Sequence, residues 1–247
     1  MSAKAWIIFA VLCLGLIGGL VFINQQERVD VSNVDSFKLQ SASEDNGNIA
    51  DHVKGNNDAK VKIIEYGDFQ CPGCASAAPI LRQITEKYQD KVMFVFRNYP
   101  LPSIHPNARA AAAAAEAAGL QDKYWPMHYQ LYSNQDAWAN LGSSERTDMF
   151  KSYANTLGLD VEKWEEDLTS DRVASKIDYD VAIAKKLKVQ GTPAIYVGED
   201  LIDEYAKGGK IVSRDVEGSQ PIWSDPESFE KLILIPALKE AGVDLDN

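Results

Sequence analysis

Apolar positions fall along this chain in three regimes. From Ala5 to Ile23, nineteen successive residues (AWIIFAVLCLGLIGGLVFI) carry no charge and no strongly polar side chain. At about 1.5 Å rise per residue, a helix of that length roughly spans the ~30 Å hydrocarbon core of a bilayer. Residues 1–23 are therefore predicted to form a short stub and a transmembrane helix. Lys4 and the amino terminus precede the run and a mixed NQQER follows it, which favours a cytoplasmic N-terminus with the remainder exported. The run is longer than the roughly 7–15 residues of a signal-peptide core and no A-x-A site follows it, so a retained anchor is favoured over a cleaved signal. Residues 24–49 are polar, rich in Ser, Asn and Asp, and show no sustained period. They predict a flexible tether spanning on the order of 25–30 Å.

From residue 50 to 247 the patterning becomes that of a folded domain. Val61–Tyr66 is a β-branched run closed by Gly67-Asp68, and Val92–Phe96 is a second apolar run; both predict strands. Between them Ile80, Leu81, Ile84 and Tyr88 recur at helical spacing, with Pro79 inside that helix and expected to kink it. Residues 104–188 then read as helix after helix: an alanine tract from Pro106 closing at Gly119, a Tyr/Trp/Met/His/Leu pattern over Asp122–Tyr132, Ser144–Leu157, a short acidic helix from Asp160, and a last helix with Val173, Ile177, Val181, Ala184 and Leu187 on one stripe. Strand character returns at Ala194–Val197, a further strand is expected around Lys210–Val212, and a final helix over Pro226–Ala241 includes Pro236. This order predicts one α/β domain interrupted by a helical insertion at about 101–188, not two domains in series.

Composition narrows the function classes. The 45% hydrophobic and 25% charged residues are those of a globular chain. With 36 acidic against 25 basic side chains the formal net charge is −11, which argues against a nucleic-acid partner. Three cysteines do not staple a secreted scaffold: Cys13 lies in the apolar run and Cys71 and Cys74 form one CxxC pair.

That pair carries the candidate chemistry. Cys71 stands where a strand hands over to a helix, so its sulfur faces unsatisfied backbone N–H groups and the positive end of the helix dipole, both of which favour thiolate. Pro72 suits the first helical turn because its missing N–H has no partner to lose there. Cys74 lies one turn on, within reach of a mixed disulfide on Cys71. The spacing predicts an accessible, acidic Cys71 and a partly buried, resolving Cys74. A purely stabilising bridge closing four residues removes little chain entropy. A metal site needs two further ligands, and His52, His105 and His128 show no ligand spacing with the pair. No metal is expected, and His105 and His128 are read as capping and packing residues.

Glu65-Tyr-Gly-Asp-Phe-Gln-Cys-Pro-Gly-Cys, the helical insertion and Val189-Gln-Gly-Thr-Pro-Ala together resemble the DsbA-like thiol-disulfide oxidoreductases of the thioredoxin superfamily, over roughly residues 50–242. Arg97-Asn-Tyr-Pro-Leu, His105-Pro-Asn-Ala and Tyr124-Trp-Pro-Met-His are similar to that family too, and its membrane-anchored CPxC members most of all. The resemblance implies a thioredoxin-like fold in which Pro193 forms the cis-proline loop facing the dithiol. Thr192 would offer its backbone to an extended substrate, a short β-augmentation. It also implies an acid beneath the active site at Glu65, able to shuttle the Cys74 proton; read without the family, Glu65 is as well a surface strand residue. No cofactor is implied beyond the Cys71–Cys74 disulfide. The implied partners are exported cysteine-containing proteins and a membrane quinone-linked reoxidase of DsbB or VKOR type. Where many strong oxidases of the family carry His between the proline and the second cysteine, this chain has Gly73, which implies a less acidic Cys71 than theirs. The leading expectation is a membrane-tethered extracytoplasmic oxidase that introduces disulfides into exported proteins through the CPGC dithiol; an exported reductase or isomerase is the runner-up, with a chaperone or scaffold, or a metal carrier using the CxxC, as further classes.

Overall fold

The computed structural model describes residues 29–245 together with Phe9, Cys13 and Gly15. Apart from those three residues, the expected anchor lies outside the described residues. No helix among the described residues is long and apolar enough to cross a membrane.

β2 (Val61–Gly67) and β3 (Val92–Asn98) run side by side in parallel, with Val61 opposite Val92 and Gly67 opposite Asn98. Strands this rich in β-branched and aromatic residues suit a central position covered on both faces. The two-residue period sorts them: Val61, Ile63, Val92, Phe94 and Phe96 enter one core, while Ile64, Tyr66, Met93 and Val95 enter the other. β1 (His52–Gly55) flanks β3 antiparallel, and β4 (Ala194–Val197) flanks β2 antiparallel. β5 (Asp200–Leu201) closes the edge beyond β4, giving the order β1-β3-β2-β4-β5. β1 is absent from the sequence reading because HVKG carries a single β-branched residue and no alternation long enough to register.

α1 (Pro72–Lys87) covers the first face with Cys74, Ala77, Ala78, Leu81 and Ile84, and runs through Pro79. Between β3 and β4 lie six helices: α2 (Ala108–Gly119), α3 (Tyr124–Ser133), α4 (Gln135–Trp138), α5 (Ser143–Thr156), α6 (Val161–Leu168) and α7 (Asp171–Lys186). The first five share a core with α1. α7 reaches the opposite face, where Tyr179, Ile183 and Ala184 meet Ile64, Tyr66 and Val95. The alanine tract is a packing device. With Ala111, Ala114, Ala115 and Ala118 fully buried, α6 comes close enough for the Trp164 indole N–H to reach the Ala114 carbonyl at 3.1 Å. α2 ends on Gly119 as expected, with Leu120 as its cap; a Cβ on Gly119 would stand 2.7 Å from the His52 ring, so close approach requires the glycine.

A three-stranded sheet follows, β6 (Tyr205–Lys207) between β7 (Lys210–Val212) and β8 (Gln220–Pro221). The final helical stretch runs as α8 (Pro226–Phe229), a π turn (Glu230–Leu234) and α9 (Ile235–Glu240). The widened turn stands just before Pro236, whose ring and missing N–H disrupt regular α geometry.

Residues 29–49 correct the expectation of a free tether over 24–49. Val31 is buried and the Phe37 ring packs edge-on to Tyr196 at 5.5 Å. The Lys186 ammonium donates to the carbonyls of Val31, Ser32 and Val34, and Arg97 donates to those of Ser36 and Lys38. Polar composition concealed this because the strap is held mainly through its backbone carbonyls. It leads into a buried ionic chain. Asp51 bridges Arg97 (2.7 Å) and Lys176 (3.0 Å), and Lys176 pairs with Asp180 at 2.7 Å. Asn98 joins Asp180 to Glu116, whose second oxygen lies 2.8 Å from His52 Nε2. Burial alone would raise the Asp51 carboxyl; Lys176 and Arg97 outweigh it and hold it well below the usual carboxylate range.

Candidate active site

β2 ends on Gly67, where a Cβ would stand 2.3 Å from the Phe96 ring. The chain then turns through Asp68, a residue the sequence reading did not single out. Its buried carboxylate accepts the N–H groups of Gln70 (2.7 Å) and Leu101 (2.9 Å) and lies 2.8 Å from His105 Nδ1. Its carbonyl accepts the Cys71 N–H at 3.0 Å. This turn delivers Cys71 as the extended residue that caps α1 (φ −72°, ψ 122°), with Pro72 opening the helix. His105 is thus a turn-stabilising group, in keeping with its reading as a structural residue.

Cys71 and Cys74 are free thiols. Cys74 is fully buried, and its sulfur accepts the Asp68 N–H at 3.5 Å. Cys71 is less accessible than expected, at 8% exposure. The cause is the loop before β4: Cys71 Sγ–H donates to the Thr192 carbonyl at 3.2 Å, and the Thr192–Pro193 bond is cis. The sequence-predicted residues from two distant segments therefore meet at one sulfur. Gly73 lies in the same contact, since a Cβ on it would stand 3.1 Å from Pro193 Cδ and 3.6 Å from Cys71 Sγ.

The two sulfurs are electrostatically unequal. A hydrogen bond from Cys74 pulls the Cys71 thiol down to about 5 against the opposing effect of burial, with the Thr192 side chain and the backbone N–H groups of Cys74 and Gly73 adding to the pull. Burial, donation to Cys71 and the nearby Glu65 push Cys74 well above its ordinary range.

Glu65 is fully buried, which excludes the surface-strand alternative. Burial first and the Cys71 charge second push its carboxyl up to about 8, against an opposing bond from Cys74. Neither of its oxygens has a hydrogen-bond partner among oxygen and nitrogen groups, and the same is true of both His128 nitrogens and the Tyr132 hydroxyl. His128 is packed among Phe69, Phe96, Trp125 and Tyr132, and burial holds it down to about 3. It is the neutral packing residue the sequence suggested.

Beside Thr192 and Pro193 opens a groove of about 780 Å³, walled by Val189, Tyr196, Leu201, Ile211 and Trp223. No cluster of three or more His, Cys, Asp or Glu suited to a metal ion occurs among the described residues.

Fold and site together define a thioredoxin-like α/β protein with a helical insertion and a dithiol at the start of its first helix. Residues 47–211 match the thioredoxin family profile Thioredoxin_4. The probable disulfide bond formation protein D of Bacillus cereus is 36% identical over 152 residues, 60% of this chain and 69% of that protein. The Na(+)/H(+) antiporter NhaA 1 of Mycolicibacterium vanbaalenii is also 36% identical, over 149 residues, but the chain spans only 23% of its length. Among solved structures, oxidised BdbD from Bacillus subtilis shares the fold with a TM-score of 0.58 at 22% identity, over 81% of this chain and 97% of that one. The chain belongs to the thioredoxin family.

Proposed function

We propose that this protein is a membrane-tethered, extracytoplasmic oxidase that introduces disulfides into exported proteins through its CPGC dithiol. The carrying observation is the inequality of the pair: Cys71 is drawn down to about 5 while Cys74 is pushed well up. A low-pKa sulfur is a good leaving group, which favours handing the disulfide on. In the oxidised enzyme a client thiolate attacks Cys71 Sγ, the Cys71–Cys74 bond breaks, and Cys74 leaves as thiolate. Glu65, neutral by burial, supplies the proton that Cys74 takes up. A second client thiolate then attacks the client sulfur of the mixed disulfide and releases Cys71 as thiolate. The client has lost two electrons, which the dithiol passes to a quinone-linked membrane reoxidase of DsbB or VKOR type.

Thr192 and Pro193 are the client-binding residues of this reading. A client strand would replace the Cys71 thiol at the Thr192 carbonyl, and the groove alongside, with Val189, Leu201, Ile211 and Trp223 beside Lys188, Asp203, Glu204 and Arg214, offers both apolar and charged contacts to a still unfolded segment. The apolar run over Ala5–Ile23 supports the tether and the exported side. Recovery of the full chain in membranes, and its release on deleting residues 1–23, tests that part.

Gly73 favours a second reading, an exported reductase or isomerase, because it supplies no imidazolium beside Cys71. The reduction potential and the rate of oxidative refolding of a reduced client separate the two. A potential near thioredoxin's, about −270 mV, would sink the oxidase direction. A Cys71→Ser chain that leaves client disulfides unchanged in cells would point to a chaperone or scaffold instead.

A further inference from the structure

One buried side chain of the helical insertion bonds directly to the backbone of Cys71. Gln135 opens α4, and its carboxamide Nε2 donates to the carbonyl of Phe69 at 2.7 Å and to that of Cys71 at 3.0 Å. Gln135 is 8% exposed, so water does not compete for these bonds. A second glutamine crosses the same boundary the other way: Gln70 Nε2 donates to the Ala139 carbonyl at 2.7 Å, and its Oε1 accepts the Asn107 N–H at 2.6 Å. The two clamps differ in what they grip. Gln70 grips the insertion, whereas Gln135 grips the backbone of the residue that carries the attacking sulfur.

We propose that Gln135 is a positioning residue for the dithiol: delivered by the insertion, its carboxamide pins the Phe69–Cys71 turn and holds Cys71 at the cap of α1 in the arrangement its sulfur needs for exchange. The Cys71 carbonyl also accepts the Ala75 N–H at 3.1 Å, the opening bond of α1. The second donor fixes that carbonyl in place, and with it the direction of the Cα–Cβ bond toward Thr192 and Cys74. The carboxamide also presents its positive N–H end next to the Cys71 peptide, a placement that favours negative charge on the sulfur. Removing it loosens the cap and takes away that dipole, so both effects disfavour the thiolate. The groups facing Cys71 are Cys74, Thr192, Glu65 and the N–H groups of Gly73 and Cys74; a Gln135 variant leaves all of them in the chain.

This inference rests on the redox reading above, and its test separates the two. In the full chain, Gln135→Met keeps side-chain length and packing while removing both donors. Cys71 is titrated by thiolate absorbance, and the equilibrium of the pair with reduced and oxidised glutathione is measured alongside. Gln135→Met should raise the Cys71 titration and shift the equilibrium toward the disulfide form by about two- to tenfold, the span of one hydrogen bond. Gln135→Glu, which turns donors into acceptors against two carbonyls, should shift both further in the same direction. Gln70→Ala should lower thermal stability with the Cys71 titration unmoved. Folded Gln135 variants whose titration and equilibrium match the wild type would overturn the positioning role. A wild-type chain that fails to exchange with glutathione at all would overturn the redox reading itself.

Discussion

Replacing Glu65 by Gln gives a sharp test of the buried acid, because the structure fixes both sign and size. The carboxyl titrates near 4.5 in an unfolded chain and is raised to about 8 in the folded, reduced one. Between those values the folded protein binds a proton that the unfolded chain has shed, so stability falls as pH rises through the window and levels off above it. At ~1.36 kcal/mol per unit, the penalty at pH 7 is about 3 kcal/mol. Gln is neutral at every pH, and its amide is buried as fully as the protonated carboxyl, so the unsatisfied polar group largely cancels in the comparison. The reduced variant should therefore match the wild type near pH 4.5 and exceed it increasingly above. Denaturant unfolding of both reduced proteins should show the gap widening by about 3 kcal/mol between pH 5 and pH 7.5. A gap that stays flat across this range would refute the raised titration. In the same variant the step that protonates or deprotonates Cys74 should slow by about a hundredfold, since the proton donor is gone.

Cys74→Ser should trap Cys71 in a mixed disulfide with disulfide-containing clients, because the Cys71 thiolate attacks a client disulfide, releases one client sulfur as thiolate and meets no Cys74 to resolve the bond; the adduct should be visible on non-reducing gels and absent when Cys71 is also replaced. Gly73→His should make the pair more oxidising by at least ~30 mV, provided Pro193 yields the few tenths of an ångström that a Cβ 3.1 Å from its Cδ demands; an unchanged potential measured against glutathione would contradict this. Arg97→Met leaves the buried Asp51 with Lys176 as its remaining cation and strips the strap of two carbonyl contacts. The expected loss is about 3–5 kcal/mol, with residues 29–49 cut early in limited proteolysis; unchanged stability and protection would rule the strap out as part of the folded domain.

The central strands, the placement of the CxxC and most of the insertion helices were legible in the sequence because local patterning carries them. Val61–Tyr66 and Val92–Phe96 are buried on both faces, so their composition announces them, and the insertion helices repeat at 3.6 residues. The packing role of Gly119 and the course of residues 29–49 were not legible for the opposite reason. Gly119 is required by a ring from β1 sixty-seven positions earlier, and the strap is gripped through carbonyls that every residue possesses. Glu65 was ambiguous because a lone acid in an apolar strand reads the same whether it faces water or a core. Asp68 and Gln135 gave no signal: an Asp after a strand and a Gln opening a short helix are ordinary until the partners they bind are known.

By itself, the chain determined where its candidate chemistry sits. One CxxC between a strand and a helix, with no other cysteine after residue 24, already points to a reactive pair, because helix geometry alone brings the two sulfurs within one turn and aims backbone N–H groups at the first. The tertiary structure decided how that pair is tuned. Thr192 is 121 residues from Cys71 and Gln135 is 64 away, and Glu65 owes its raised carboxyl to burial under α1 and the insertion. Those influences act through space in a dry interior, where distance and desolvation, not order along the chain, set the energy of a charge.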